Sequence, residues 1–234
     1  MQKLLSSMRR AIEHFEMIAD GDVVTVGLSG GKDSVALLAA LSEFRRFSTN
    51  KFTLKAVTVD MGLNADFSPL VKFCEDRQID YKIVKTDIAE IIFDIRKEKS
   101  PCSLCSKMRR GALNSAIIES GGGKLALGHH ADDVAETFLM SLLYEGRLST
   151  FAPVSHMSRA DVTLIRPFVY TEEKDIISVS KDFPVVHNPC PANHVTKREY
   201  MKELIKKLGG DIPRAKESIM TALFHPERNN LWKK

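Results

Sequence analysis

The sequence predicts an α/β fold in which a doubly wound parallel sheet precedes a small helical C-terminal appendage. Short β-branched runs alternate with stretches of helical periodicity through most of the chain. The strand segments are apolar almost without interruption, which is typical of parallel strands covered on both faces. Because crossovers between parallel strands are right-handed, such alternation gives a sheet with helices on both sides.

The predicted elements follow the chain in order. An N-terminal amphipathic helix comes first, and Gly21 would end it. Its apolar face is formed by Leu4, Leu5, Met8, Ile12, Phe15 and Ile18. Strands are predicted at 23–28, 52–60, 81–86 and 124–128, with 162–165 as the last strand, at the edge of the sheet. Helices are predicted at 34–46, 67–77, 102–120 and 132–144.

Two capping-box patterns and a change of composition divide the rest of the chain. The patterns are Asp87-Ile-Ala-Glu90 and Thr196-Lys-Arg-Glu199. The second would open a basic helix that ends at Gly209–Gly210, and Pro213 would start another helix. We therefore expect an N-terminal helix at 1–21, an α/β domain at 22–183 and a basic helical extension at 184–234 that carries the third of three candidate site cysteines.

Composition excludes several classes of protein. The chain has 234 residues, of which 44% are apolar and 27% charged, so disorder is not expected. No apolar run is long enough to span a membrane, and Arg9, Arg10 and Glu13 interrupt the N-terminal apolar positions, unlike a signal peptide. We expect a cytoplasmic protein without a membrane partner. In that reducing compartment its four cysteines favour metal or redox chemistry over disulfides.

The positive charge is concentrated near the C-terminus. The formal net charge is +4, and residues 195–234 carry the surplus of lysine and arginine, including Lys202, Lys206 and Lys207. Such a segment is compatible with a surface for the phosphates of a nucleic acid. It is equally compatible with a pair of solvated helices, so charge alone leaves both interpretations open.

A phosphate-binding loop is predicted where the first strand meets the next helix. Its sequence is Ser29-Gly-Gly-Lys-Asp-Ser34, which matches neither the Walker spacing nor GxGxxG. Gly30 and Gly31 permit positive φ and close backbone approach, so the N–H groups of the loop and first helical turn can bind an oxyanion. Ser29 and Ser34 add hydroxyl donors. Lys32 adds a positive charge, and Asp33 adds a carboxylate that can hold Mg²⁺.

Two further segments are expected at the same edge of the sheet, because ligands of open α/β sheets bind at the carboxyl ends of strands. Asp60 follows the second strand, and Gly128-His-His-Ala-Asp-Asp133 follows the fourth. Taken alone, Asp60 is an ordinary turn carboxylate and Asp133 caps a helix with Glu136. Beside a nucleotide, Asp133 could instead bind Mg²⁺ or accept a proton from a substrate base.

Three cysteines form a candidate metal site. Cys102-Ser-Leu-Cys105 is followed by Arg109 and Arg110, and Cys190 comes much later. A CxxC pair alone fits structural zinc, a redox dithiol or half of an iron–sulfur site. The two arginines could offset the charge of a cluster or contact phosphate.

A zinc site would need a fourth ligand, which His187, His194 or Cys74 could supply. Cys74 lies on an apolar helix face and is expected in the core.

The order of these motifs resembles a known family. SGGKDS resembles the pyrophosphate-binding loop of N-type ATP pyrophosphatases, and GHHADDVAET resembles the GHxxDDxxET motif of those that act on tRNA. With CxxC between them and a lone cysteine before a basic helix, the chain is similar to the TtcA/TtuA group of tRNA thiolation enzymes. The resemblance implies a Rossmann-like fold of the adenine-nucleotide α-hydrolase type. It also implies ATP-dependent adenylation of the C2 oxygen of a tRNA pyrimidine, which sulfur then replaces.

The resemblance implies roles for particular residues. Cys102, Cys105 and Cys190 would hold a [4Fe-4S] cluster with one iron open to an exogenous ligand. ATP would be bound by Ser29, Gly30, Gly31, Lys32, Asp33, Ser34, Asp60 and Gly128. The catalytic residues would be Lys32, Asp33, Arg109 and Asp133, and tRNA would contact Arg110, Lys202, Lys206 and Lys207. The sulfur donor would be sulfide or a cysteine desulfurase, and the protein could form a homodimer.

The alternatives differ in their chemistry. The chain lacks the additional CxxC zinc fingers of the 2-thiouridine branch, which favours 2-thiocytidine in the anticodon loop and leaves 2-thiouridine as an alternative. A ligase similar to lysidine synthetase would share the loop, without needing CxxC and with a larger C-terminal region. A zinc-stabilised RNA-binding module without catalysis would leave SGGKDS without a purpose.

Overall fold

The computed structural model describes residues 1–98, 101–158, 160–186, 189–190, 197–228 and 230. A six-stranded sheet lies at its centre, with strand order β3-β2-β1-β4-β6-β5. All neighbouring strands are parallel except β5 and β6, which are antiparallel. The strands are β1 Val23–Gly27, β2 Thr53–Asp60, β3 Asp80–Lys85, β4 Lys124–Ala126, β5 Val154–Met157 and β6 Val162–Ile165.

Helices connect these strands and cover the sheet. They are α1 Gln2–His14, α2 Lys32–Phe47, α3 Ser68–Glu75, α4 Pro101–Glu119, α5 Ala131–Glu145, α6 Glu173–Val179, α7 Lys197–Asp211 and α8 Ala215–Phe224. A π-helix spans Glu90–Ile95, and 3₁₀ turns span Ser180–Asp182 and Pro226–Arg228. No helix in the described ranges is both long and apolar enough to cross a membrane.

Both faces of the sheet are covered, as predicted. Consecutive residues of a strand point to opposite faces, and Leu125 and Ala126 of β4 belong to two different apolar clusters. Ala126 lies in the main core, which α1 and α2 complete. Leu125 packs with Ile117 of α4 on the other face. The predicted core position of Cys74 is confirmed, because this side chain is buried.

The direction of the chain reverses between β1 and β4. From β1 the chain proceeds to β2 and β3 on one side, and it returns to β4 on the other. Such a switch point opens a crevice at the carboxyl ends of the two strands, where ligands of open α/β sheets bind. The segments that follow β1 and β4 carry the SGGKDS and GHHADD motifs.

The N-terminal helix is shorter than its apolar pattern predicted. It ends at His14, not near Gly21, because the backbone turns at Glu16 with a φ of 49°. Leu4, Met8 and Ile12 are buried as expected. Ile18 is also buried, but it lies beyond the helix, so burial of an apolar residue did not require helical geometry there.

The prediction that 162–165 forms the edge strand is wrong. β6 lies between β4 and β5, and β5, which the sequence analysis missed, forms the edge. β5 has the sequence Val-Ser-His-Met, which is too short and too polar to give a clear strand pattern. An edge strand has a free side and needs less burial than a central strand.

Helix ends were predicted less well than helix positions. The helical turn predicted after Asp87 is present: Ile88 and Ala89 are helical, the Ile91 N–H donates to the Asp87 carbonyl at 3.0 Å, and the π-helix follows. The side-chain bonds of that capping box stay a prediction. α7 continues through Gly209 and Gly210 to Asp211, since glycine lowers helix stability without preventing helical geometry. The predicted cap at Thr196 lies outside the described residues, and α6 was not predicted.

Candidate functional site

The SGGKDS loop has the conformation expected for an anion site. Gly30 has a φ of 84°, which favours glycine, and α2 begins at Lys32 directly after the loop. The Ser34 hydroxyl accepts a hydrogen bond from the Ser29 N–H at 3.2 Å and donates one to the Gly31 carbonyl at 2.9 Å. These bonds fix the turn while the first N–H groups of α2 point towards its open end.

The loop after β4 lies directly against the first turn of α2. A Cβ atom added to Gly128 would lie 2.9 Å from the carbonyl oxygen of Asp33 and 3.2 Å from the Ser34 nitrogen. Only glycine allows the two backbones to approach this closely. The structure thus brings together the two motifs that the sequence placed at separate strand ends.

Lys32 is held by two carboxylates. Its ammonium lies 2.9 Å from Asp33 and 3.0 Å from Glu173 of α6. Although burial alone would lower it, these contacts raise the pKa of Lys32 above its usual value. Burial acts in the opposite sense on Glu173, but hydrogen bonds from Lys32 and Lys202 lower the pKa of this carboxyl to about 2. The loop lysine is therefore charged and paired when no ligand is present.

The GHHADD segment surrounds a buried histidine with carboxylates. His130 is the N-cap residue of α5, and its N–H donates to the Asp133 carboxylate at 3.0 Å. Asp133 is therefore the third residue of the helix and not the predicted N-cap. The His130 ring lies 3.5 Å from Asp133 and 3.8 Å from Asp33, so it connects the two loops. Burial lowers the pKa of the neighbouring His129 to about 4, so this imidazole is neutral near pH 7.

Arg198 is a site residue that the sequence analysis missed. Its guanidinium lies 3.3 Å from Asp133 and 3.1 Å from the buried Glu136, and it donates to the Thr137 hydroxyl at 3.1 Å. Although Arg198 opposes the effect, burial and the nearby Asp133 raise the pKa of Glu136. Arg198 belongs to a run of basic tail residues, so nothing in the sequence distinguished it from residues that face solvent.

Two further cations of the tail also point inwards. Lys202 of α7 lies 3.0 Å from Glu173, and Lys216 of α8 lies 2.8 Å from Asp132 and 3.1 Å from Glu172. Lys206 and Lys207, by contrast, are exposed on α7. Part of the positive charge of the tail is therefore paired with the carboxylates of Asp132, Glu172 and Glu173.

Asp60 is engaged in its own turn. Its carboxylate accepts the Gly62 N–H at 2.9 Å, and its carbonyl accepts the Thr86 N–H at 3.0 Å. Both contacts shape the carboxyl end of β2, where the backbone of Met61 also accepts a bond from Ala89.

The three candidate cysteines are brought to this side of the sheet. Cys105 is half-buried, and its Sγ lies 3.5 Å from the Met61 sulfur at the end of β2. Burial raises the pKa of Cys105, Arg109 opposes this effect, and ionised Cys190 and Cys102 would raise it further. Both other thiols therefore lie within electrostatic range of Cys105, although Cys190 is distant in sequence.

The three thiols are not preorganised as a metal-binding site. Within the described ranges, no three His, Cys, Asp or Glu side chains are arranged so that they could hold a metal ion as they stand. The donor set itself suits an iron–sulfur cluster, because thiolates are its usual ligands and Arg109 supplies a compensating charge. His187 and His194, the histidines considered for zinc, lie outside the described residues.

The chain before Cys190 is attached to the phosphate loop. Val186 donates its backbone N–H to the Gly30 carbonyl at 2.9 Å. A Cβ atom at Gly30 would lie 2.8 Å from the Val186 Cβ, so this contact also requires glycine. The segment that leads to the third cysteine thus rests on the loop that is predicted to bind phosphate.

Comparisons with known proteins identify the family of the chain. The PP-loop domain family matches residues 4–207. A tRNA-cytidine(32) 2-sulfurtransferase of Citrifermentans bemidjiense is 37% identical over 96% of this chain and 91% of its own length. An enzyme of the same name from Coxiella burnetii is 36% identical over 98% of this chain and 92% of its own length.

A solved structure supports the same family assignment. The U34-tRNA thiolase NcsA of Methanococcus maripaludis, solved with its [4Fe-4S] cluster, superposes with a TM-score of 0.79 at 27% identity. The match covers 98% of this chain and 80% of that protein. The chain therefore belongs to the PP-loop family and, within it, to the TtcA/TtuA group that its motifs predicted.

Proposed function

We propose that this protein is an ATP-dependent tRNA sulfurtransferase that replaces the C2 oxygen of a cytidine in the anticodon loop with sulfur, giving 2-thiocytidine. One observation carries the proposal: the phosphate loop and the chain that leads to Cys190 are joined through the bond between Gly30 and Val186. An ATP-splitting centre and a thiolate site would then face the same crevice. The names of the curated relatives support cytidine as the target.

The loop is suited to bind the phosphates of ATP. The N–H groups at the start of α2, the Ser29 and Ser34 hydroxyls and the Lys32 ammonium would surround the leaving pyrophosphate. Lys32 would exchange its contacts with Asp33 and Glu173 for the β and γ phosphates. This exchange frees Asp33 to hold Mg²⁺ against the same phosphates.

Adenylation requires the C2 oxygen of the base to attack the α phosphorus while the bond to pyrophosphate breaks. The new bond makes that oxygen part of a good leaving group, AMP. Asp133 is linked through His130 to Asp33 of the phosphate loop, and it would orient the base or take up its proton. Arg109, beside Cys105, would assist.

The cluster would be held by Cys102, Cys105 and Cys190. When bound, a cluster with three protein ligands supplies one iron that can present sulfide to the activated carbon. The chain would supply the three thiolates and the neighbouring guanidinium of Arg109. The Met61 sulfur lies close to Cys105. Sulfide or a cysteine desulfurase as the donor, and a homodimer, stay predictions.

The decisive experiment is mass spectrometry of tRNA nucleosides from cells with and without the gene. Loss of 2-thiocytidine supports the proposal, and loss of 2-thiouridine instead favours the activity in the name of the structural relative NcsA. Unchanged thiolation contradicts both. In vitro, the anaerobically purified protein should be brown and convert ATP to AMP and pyrophosphate, whereas a lysidine-type ligase would need no iron.

The variant Asp33→Ala separates nucleotide chemistry from RNA binding. We expect it to lose pyrophosphate release while tRNA affinity is retained. Normal pyrophosphate release would remove the role proposed for Asp33.

A further inference from the structure

Arg166 is a buried cation at the carboxyl edge of the sheet. It follows β6 directly, and only 7% of its surface is exposed. Its Nη1 donates to the Ala152 carbonyl, and its guanidinium carbon lies 4.8 Å from the centre of the Phe151 ring. Among the described residues, the buried Nε has no hydrogen-bond partner.

In the described part of the chain, Arg166 has no carboxylate partner. Burial lowers the pKa of Arg166 to about 10, and the nearby Arg110 of α4 lowers it further. A buried charge is costly unless a partner of opposite sign compensates it, and here the neighbour has the same sign. Two arginines arranged in this way are typical of a site for an anion.

The position of this pair separates it from the phosphate loop. β4 lies between β1 and β6, so Arg166 is two strands away from the loop, a distance of roughly 10 Å. Arg166 also contributes to the low pKa of His129 in the GHHADD segment. Arg110 lies on the helix that carries Cys102 and Cys105. Arg166 therefore has one neighbour in the proposed catalytic loop, His129, and one on the proposed cluster helix, Arg110.

We propose that Arg166 and Arg110 bind one phosphate of the RNA strand that carries the target nucleotide. The proposal rests on the function proposed above, and it adds the buried Arg166 to the exposed Arg110 that the sequence suggested. Guanidinium groups match the geometry of a phosphate through paired N–H donors. A phosphate held beside the adenylation site would fix the position of the neighbouring base, because phosphate contacts set the register of a nucleic acid.

The test compares tRNA binding by Arg166→Gln, Arg166→Lys and Arg110→Gln with the wild type over a range of salt concentrations. Arg166→Gln and Arg110→Gln should each weaken binding by about tenfold or more, and because both contact one phosphate, each should reduce the salt slope by at most about one unit. Arg166→Lys should retain the slope because it keeps the charge. Affinity for ATP and iron content should stay at the wild-type level. Arg46→Gln removes an exposed arginine of α2 and is the control with unchanged tRNA binding.

The outcomes separate this subsite from the proposed function. If the wild type binds tRNA and folded Arg166→Gln binds it with the same affinity and slope, the subsite is wrong and the function stands. If the wild type neither binds nor thiolates tRNA, the proposed function itself is wrong. Should Arg166→Gln fail to fold, Arg110→Glu decides the matter, because an exposed charge reversal must weaken binding more than Arg110→Gln if a phosphate lies there.

Discussion

The guanidinium of Arg198 lies 3.3 Å from the carboxylate of Asp133, and this contact joins the tail to the carboxyl edge of the sheet. The other oxygen of Asp133 accepts the His130 N–H, so both ends of the carboxylate are held. The same arginine pairs with Glu136. A helix that charge alone left open between RNA binding and solvation thus orients a proposed catalytic group.

Replacing Arg198 should lower both stability and turnover. Arg198→Ala leaves the Glu136 carboxylate buried without its cation, and since Arg198 is partly exposed we expect a loss of roughly 1–2 kcal/mol in the free energy of unfolding. We expect kcat to fall more than KM for tRNA, because Asp133 loses its orientation. Urea unfolding and steady-state thiolation measure the two effects. Arg198→Lys should restore part of kcat, and a change confined to KM would instead mean that Arg198 contacts RNA.

Gly128→Ala should disrupt the nucleotide crevice. The added methyl group would lie 2.9 Å from the Asp33 carbonyl, so the loop after β4 must move away from α2. We expect ATP affinity to drop by at least about tenfold, because the loops must shift to relieve the clash. Isothermal titration with ATP measures this. Gly210→Ala is the matched control, since its Cβ meets open space in α7 and alanine should stabilise that helix by up to about 1 kcal/mol.

The ion pairs of Glu173 predict a specific loss of stability in acid. Lys32 and Lys202 lower the pKa of this carboxyl to about 2 against a usual value of 4.5. The stabilisation is therefore fully present above pH 4.5 and is lost as the pH falls through 4.5 towards 2. Thermal unfolding of the wild type and of Glu173→Gln is compared between about pH 6 and about pH 3. The melting temperature should fall less for the variant than for the wild type. Parallel declines would contradict the assignment.

Cys190→Ala should abolish iron retention and thiolation. A cluster with two protein thiolates is no longer held firmly, and the substitution removes one of the proposed three. Iron analysis and the visible spectrum after anaerobic purification provide the measurement. Cys74→Ala is the control: burial raises the pKa of that thiol to about 11, it lies in the core, and its loss should leave the iron content unchanged. Full iron content in Cys190→Ala would exclude cluster ligation by this residue.

Lys206 and Lys207 should contribute to tRNA affinity through charge alone. Both are exposed on α7, whereas Lys202, although also exposed, pairs with Glu173. The double variant with glutamine should reduce the salt slope of tRNA binding by about two units, one for each phosphate contact. Filter binding over a salt series measures the slope, and an unchanged slope would mean that this face of the tail does not contact RNA.

Local patterns determined most of the strands and the position of the phosphate loop. The apolar runs before Gly27 and Asp60 leave little choice except buried parallel strands, and the two adjacent glycines specify the turn. Two elements were missed: Ser155 and His156 interrupt the apolar residues of β5, and α6 has only seven residues, too few for a helical periodicity to emerge. The ends of helices depended on backbone turns, such as the one at Glu16, and the residue types in the sequence do not predict these turns.

Candidate residues of the site could be named from the sequence, but their contact partners could not. SGGKDS, GHHADD and the cysteines are local motifs whose chemistry follows from their residue types. That Val186 would rest on Gly30, or Arg198 on Asp133, depended on where the tail packs. Charge identifies a basic helix without stating which of its faces meets solvent, so only the tertiary structure decided which cations point into the crevice.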